Sequence, residues 1–84
     1  MNITLYTKDN CTYCHQAKEL LKANKFFYEE KKLNKDFTKE WLLEIYPGTK
    51  TFPVVVVDGY CIGGYANLAE MINLEKDSRS FLTE

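Results

Sequence analysis

The sequence predicts an α/β domain in the order βαβαββα, with a central mixed four-stranded sheet flanked by helices. Three observations carry this reading. A short strand-like start leads straight into an amphipathic helical pattern, an unbroken run of four valines follows a proline, and an Asp-Gly pair sits where that run must turn back.

Ile3 to Thr7 reads as the first strand, broken by "KDN", residues suited to a loop and a helix start. From Cys14 the apolar positions Ala17, Leu20, Leu21 and Ala23 recur at helical spacing, which predicts a helix to about Asn24. Phe26 to Leu33, "FFYEEKKL", is expected as a second strand beside the first, making a βαβ crossover. Phe37, Trp41, Leu42 and Ile45 mark the core face of a second helix, which Pro47 and Gly48 end. "PVVVV" predicts a buried strand, Asp58-Gly59 a two-residue hairpin turn, and "YCIG" the returning strand. After Gly63-Gly64, Leu68, Met71 and Ile72 give a third helix. Residues 75–84 are expected to be a docked short helix or a frayed tail, so 1–84 forms a single domain.

Bulk properties narrow the function classes. With 45% hydrophobic and 27% charged residues the chain is not of disordered composition. Its 84 residues suit one domain with a thin core. A formal net charge of −1, with both signs interspersed, offers no basic field for nucleic acid or anionic lipid. Neither a signal-peptide start nor a membrane-length apolar run is present, so a reducing cytoplasm is the expected location. Three cysteines there argue for catalytic or metal-binding use over a permanent disulfide framework.

The chemistry concentrates in "YTKDNCTYCHQAK". Residues three apart in a helix lie roughly 5 Å apart between Cα atoms, a span a disulfide bridges. Cys11 falls at the start of the first helix, where free N–H groups and the helix dipole stabilise a thiolate, and Lys8 adds a positive charge nearby. Cys14 lies one turn in, on the face of Ala17 and Leu21, so its sulfur is expected to point inward. Cys11 is therefore expected to attack and Cys14 to resolve. Two ordinary packing cysteines would be the better reading of scattered thiols, but the strand–loop–pair–helix order favours redox use. Zinc ranks lower, because Cys11, Cys14, Cys61 and His15 are the only thiol and imidazole ligands, and adjacent Cys14 and His15 point about 100° apart.

Taken together, "YTKDNCTYC", "TFPVVVVDG" and "CIGGY" resemble the glutaredoxin family, a branch of the thioredoxin-like fold, over residues 1 to about 74. The resemblance implies reduction of protein disulfides and glutathione mixed disulfides, with glutathione as reductant and no tightly bound metal. It implies a glutathione site of Lys8, Tyr13, Phe52, Pro53, Gly64, Tyr65 and Asn67. Phe52-Pro53 would be the family's cis-proline, offering the Phe52 backbone to the peptide-like backbone of glutathione as an added strand. Gly63-Gly64 would allow close approach at a helix N-terminus, Tyr13 would cover the ligand, and Lys8 would face its glycyl carboxylate. Disulfide-bearing clients such as ribonucleotide reductase are implied, and a monomer is expected.

Departures from the family pattern open alternatives. Thr12 replaces a usual proline, Glu40 stands where a residue attracting the glycyl carboxylate is usual, and Ala66-Asn67 replace a pair ending in aspartate. Asn67 keeps an acceptor but loses the charge that would meet the glutamyl ammonium. The alternatives are a redoxin recharged by a flavoprotein thioredoxin reductase, a carrier of an iron–sulfur cluster ligated by Cys11 and glutathione, and a redox-inert binding module. Cys61 is expected to be a half-buried packing residue outside the mechanism.

Overall fold

The computed structural model describes residues 1–83, with side chains described as far as residue 74. The described elements are β1 (Ile3–Thr7), α1 (Thr12–Ala23), β2 (Glu29–Lys32), α2 (Lys39–Ile45), β3 (Val54–Val57), β4 (Tyr60–Gly63) and α3 (Tyr65–Thr83), in the predicted order. The strands form one mixed sheet ordered β2-β1-β3-β4. β1 is parallel to β2, as a βαβ unit requires, while β3 is antiparallel to both β1 and β4.

Strand alternation splits the core between the two faces of this sheet. Ile3, Leu5 and Val55 meet Ala17 and Leu21 of α1 and Leu68 and Ile72 of α3 on one face. Tyr6, Val54 and Val56 meet Phe37 and Leu42 on the other. Leu5, Leu21, Leu68 and Ile72 are completely buried, and each such side chain contributes roughly 1.5–3 kcal/mol. That burial anchors α1, whose N-terminal end carries the cysteines, to the centre of the sheet.

β2 begins three residues later than the sequence predicts, and the cause is the end of α1. Lys25 takes a left-handed φ of 61°. Its N–H donates to the Lys22 carbonyl and the Phe26 N–H to the Leu21 carbonyl, the paired bonds of a Schellman cap. Phe26 is thereby held by the helix end and packs toward the α1 side of the core, leaving Glu29–Lys32 to pair with β1. The short, charged β2 forms one sheet edge, a composition that discourages pairing with another chain.

The second helix is also shorter than its apolar pattern. Thr38 caps it by accepting the Trp41 N–H at 3.2 Å, and Phe37 just before the cap packs with Leu42 in the same cluster, a hydrophobic staple. Phe37 and Leu42 are buried as expected, but Trp41 and Ile45 remain substantially exposed. Seven residues make only two turns, too few to lay the whole stripe on the sheet.

At the hairpin, Asp58 and Gly59 both take positive φ, 51° and 86°, which is the turn that Asp-Gly favours. Val55 pairs with Gly63 and Val56 with Cys61, so β4 carries a bulge at the intervening Ile62. Cys61 is exposed, not half-buried, because it sits on an edge strand over which the chain after α2 leaves an open cleft. α3 starts directly after Gly64 and continues to Thr83, so most of the stretch expected as a docked short helix or a frayed tail is a continuation of α3; Glu84 lies outside the described residues. Among the described residues no helix is long and apolar enough to cross a membrane.

Candidate active site

The loop after β1 and the start of α1 place the two cysteines at one end of the sheet. Asn10 turns the chain with a φ of 55°, a conformation asparagine tolerates. Cys11 is then the N-cap of α1, with extended backbone. Its sulfur takes the part a serine or aspartate oxygen usually plays, accepting the Cys14 N–H at 3.1 Å. α1 has no acidic residue in its first turn. Asp9, the acid closest to Cys11 in sequence, is paired with Lys32 at 3.1 Å.

Cys11 and Cys14 are joined by a disulfide, with Cα atoms 5.2 Å apart. Their environments differ: Cys14 is 2% exposed beneath α1, whereas Cys11 is half-buried at its tip. The Phe52 carbonyl oxygen lies 3.8 Å from Cys11 Sγ. A disulfide sulfur has no proton to donate, so this is a packing contact in the oxidised protein and a weak hydrogen bond only when Cys11 is a thiol.

The Phe52–Pro53 peptide bond is cis, and Pro53 is buried at the entrance to β3. Beside it opens a cleft of about 370 Å³ lined by Tyr13, Thr51, Phe52, Gly64, Tyr65, Ala66 and Asn67, within the size range of small-ligand sites. Tyr13 and Tyr65 flank it with ring centroids 5.8 Å apart. Lys8 does not line this cleft; its ammonium lies 5.7 Å from the centroid of the Phe52 ring, at cation–π distance. Phe52 also packs against Phe37, joining the site to the second core cluster.

Two arrangements were not evident from sequence. Asn67 Oδ1 accepts the Gly64 N–H at 3.2 Å, so Asn67 reaches back to cap the helix on which it sits. Below the cysteine loop, the buried Thr7 hydroxyl donates to Glu30 Oε2 at 2.8 Å, and Lys18 pairs with the same oxygen at 3.1 Å. Burial by itself pushes the Glu30 carboxyl up, but the Thr7 hydrogen bond and the Lys18 ammonium outweigh it and hold the group below its ordinary value. This triad ties β1, β2 and α1 together. Glu40 and Lys39 are exposed in the first turn of α2, and neither lines the cleft. Among the described residues no group of three or more His, Cys, Asp or Glu is arranged to hold a metal ion.

A disulfide-forming CxxC pair at the head of the first helix of this fold, one thiol accessible and one buried, defines a thiol–disulfide oxidoreductase. The glutaredoxin family model matches residues 3–62. The chain is 33% identical over 67 residues to glutaredoxin 3 of Escherichia coli, covering 80% of this chain and 81% of that protein. Among solved structures, reduced Escherichia coli glutaredoxin superposes with a TM-score of 0.75 at 27% identity, covering 92% of this chain and 99% of that one. The glutaredoxin-like protein NrdH-redoxin of the same organism, described as having a thioredoxin-like activity profile, superposes at 0.68 with 27% identity over 87% and 92% of the two chains. The chain belongs to the glutaredoxin family.

Proposed function

We propose that the protein reduces protein disulfides and glutathione mixed disulfides in a reducing cytoplasm, with Cys11 as nucleophile, Cys14 as resolving thiol and glutathione as electron donor. The observation that carries this reading is the asymmetry of the pair: Cys11 is accessible and aims its sulfur at a helix N–H, while Cys14 is buried. Cys11 thiolate attacks one sulfur of a disulfide, the S–S bond breaks, and the released thiolate takes up a proton. Cys14 then loses its proton and attacks Cys11 Sγ, releasing the second thiol and leaving the Cys11–Cys14 disulfide. Two glutathione molecules return the two electrons and leave as glutathione disulfide. The cleft bounded by Tyr13, Phe52, Gly64 and Tyr65 holds the partner bound to Cys11 as an extended strand along the backbone of Phe52-Pro53, and Lys8 contributes positive charge above the Phe52 ring.

A second reading, recharging by a flavoprotein thioredoxin reductase, is favoured by the absence of any carboxylate among the described residues lining the cleft and by the likeness to NrdH-redoxin. Coupled NADPH oxidation tests the two directly. Turnover with glutathione and glutathione reductase supports the first; turnover with thioredoxin reductase alone overturns glutathione as donor and leaves the dithiol chemistry intact.

A further inference from the structure

The active-site cleft does not end at the residues around Cys11. A cleft of about 200 Å³ shares Thr51 and Gly64 with it. That second cleft in turn shares Gly48, Thr49, Cys61 and Gly63 with the open cleft of about 410 Å³ after α2. Glycines form much of both junctions and carry no side chain to wall one compartment from the next; a Cβ on Gly48 would meet nothing within 4 Å. The compartments therefore adjoin as one groove, from beside Cys11 to Ile45 at the end of α2. One wall is β4, an edge strand that pairs only with β3, and an edge of this kind is a template for an added extended chain. The compartment beside Cys11, at about 370 Å³, is by itself within the size range of a small-ligand site. The two beyond it are room for a longer chain.

We propose that this groove docks an extended segment of the disulfide-bearing client protein, carrying apolar and acidic side chains, beyond the residues next to its reactive cysteine. The proposal rests on the reading that the partner is disulfide-linked to Cys11 beside Phe52-Pro53. Continuity with that site makes the client the occupant. Its chemistry follows from the lining: Ile45, the exposed end of the α2 stripe, and Ile62 lie at the far end. Lys50 in the middle is the one charged group among the described lining residues, with no carboxylate there to neutralise it. An acidic side chain of the client meets Lys50, and an apolar one covers Ile45. Cys61 does no chemistry here; exposed in the middle of the groove, it reports whether the groove is covered.

The test links Cys14→Ser protein through Cys11, in mixed disulfide, either to glutathione or to a peptide. The peptide carries alternating valine and glutamate for about six residues, roughly 20 Å when extended, on each side of one cysteine. Cys61 is then the single free thiol, and its labelling by iodoacetamide is followed by mass spectrometry. The glutathione adduct should label Cys61 as fast as unlinked protein does, and the peptide adduct slower than the glutathione adduct by about threefold or more. A smaller difference between the adducts overturns the proposal. Protection in peptide-free protein that grows with protein concentration also overturns it, by assigning the groove to a second copy of the chain. Peptide found on Cys61 in place of Cys11 overturns the nucleophile assignment and the proposal together, so the two failures are told apart. Lys50 is tested in the natural dithiol protein, reduced in advance. A mixed disulfide of that peptide with glutathione should be reduced up to about fivefold faster than its valine–glutamine counterpart, the preference fading with salt. In Lys50→Gln the preference should vanish while the rate on glutathione disulfide stays unchanged; a preference that persists there overturns the assignment of an acidic partner.

Discussion

Replacing Glu30 by glutamine removes one charge from the triad beneath the cysteine loop and leaves its shape. The Thr7 hydroxyl, 1% exposed, keeps an amide oxygen to donate to, but loses a charge-assisted bond of 2.8 Å. Lys18 loses its counter-ion at 3.1 Å, and both side chains of that pair are less than one third exposed. A hydrogen bond to a charged acceptor is worth about 1.5–3 kcal/mol against about 1 kcal/mol for a neutral one, and a part-exposed ion pair adds up to about 1 kcal/mol. The expected loss is therefore about 1.5 kcal/mol, or roughly 6–12 °C in Tm for a domain of this size. The pH dependence has a fixed sign. Because the folded carboxyl sits below its ordinary value, its contribution is fully present above the unfolded value of about 4.3 and disappears as pH falls through the folded one. Urea unfolding of the natural sequence and of Glu30→Gln should differ at pH 7 and converge in acid. An equal difference at pH 7 and pH 3 would refute the assignment of this stability to the Glu30 charge.

Two further outcomes test the site. Cys11→Ser should abolish disulfide reduction, whereas Cys14→Ser should retain turnover on glutathione mixed disulfides by a monothiol route; in the reduced protein iodoacetamide should label Cys11 before the buried Cys14, and the reverse order would sink the assignment. Gly63→Ala should lower both stability and turnover, since a Cβ there meets the Asn67 amide and Gly63 has a φ of 122°; thermal melting and single-turnover rates indistinguishable from the natural protein would show that the Asn67 cap is dispensable.

The parts of the fold that were legible in the sequence are those where one physical rule dominates locally. Four consecutive valines have few ways to be satisfied other than in a central strand, and Asp58-Gly59 supplies two positive φ angles at little cost. The CxxC pair was legible because strand, loop and helix pattern fix where Cys11 and Cys14 must point. Misplaced boundaries arose where a distant contact overrides a local pattern. Lys25 gives no glycine-like signal for the left-handed turn it makes, so Phe26 looked like strand when it closes a helix. Trp41 and Ile45 have core-like spacing, but from so short a helix only Leu42 is buried, while Trp41 touches the Tyr6 ring and stays 41% exposed. Cys61 was misjudged because a bulge at Ile62 and the open cleft after α2 are properties of strand pairing that residue types do not announce. The orientation of Asn67 was hidden for the same reason: its chemistry depends on which end of the amide the Gly64 N–H claims.

The cap made by Cys11 also bears on how the protein's stability depends on its redox state. A cross-link between residues 11 and 14 closes a loop of only four residues, for which chain entropy gives about 2 kcal/mol in favour of the oxidised form. In the oxidised protein Cys11 Sγ already accepts the Cys14 N–H, so a sulfur freed in place would keep the helix end capped on reduction. As a thiolate it accepts that bond more strongly and meets the positive end of α1, worth about 0.5–2 kcal/mol where partly buried. No acidic side chain in the first turn opposes it. The two effects are of the same size and opposite sign, so at pH 7 the oxidised and reduced forms should unfold in urea with stabilities within about 2 kcal/mol of each other. Acidification protonates the thiolate and removes only the reduced form's contribution, so the gap should widen in favour of the disulfide as pH falls. An oxidised form more stable by over about 4 kcal/mol at pH 7, with no change in acid, would mean that the sulfur of Cys11 does not act as a charged cap.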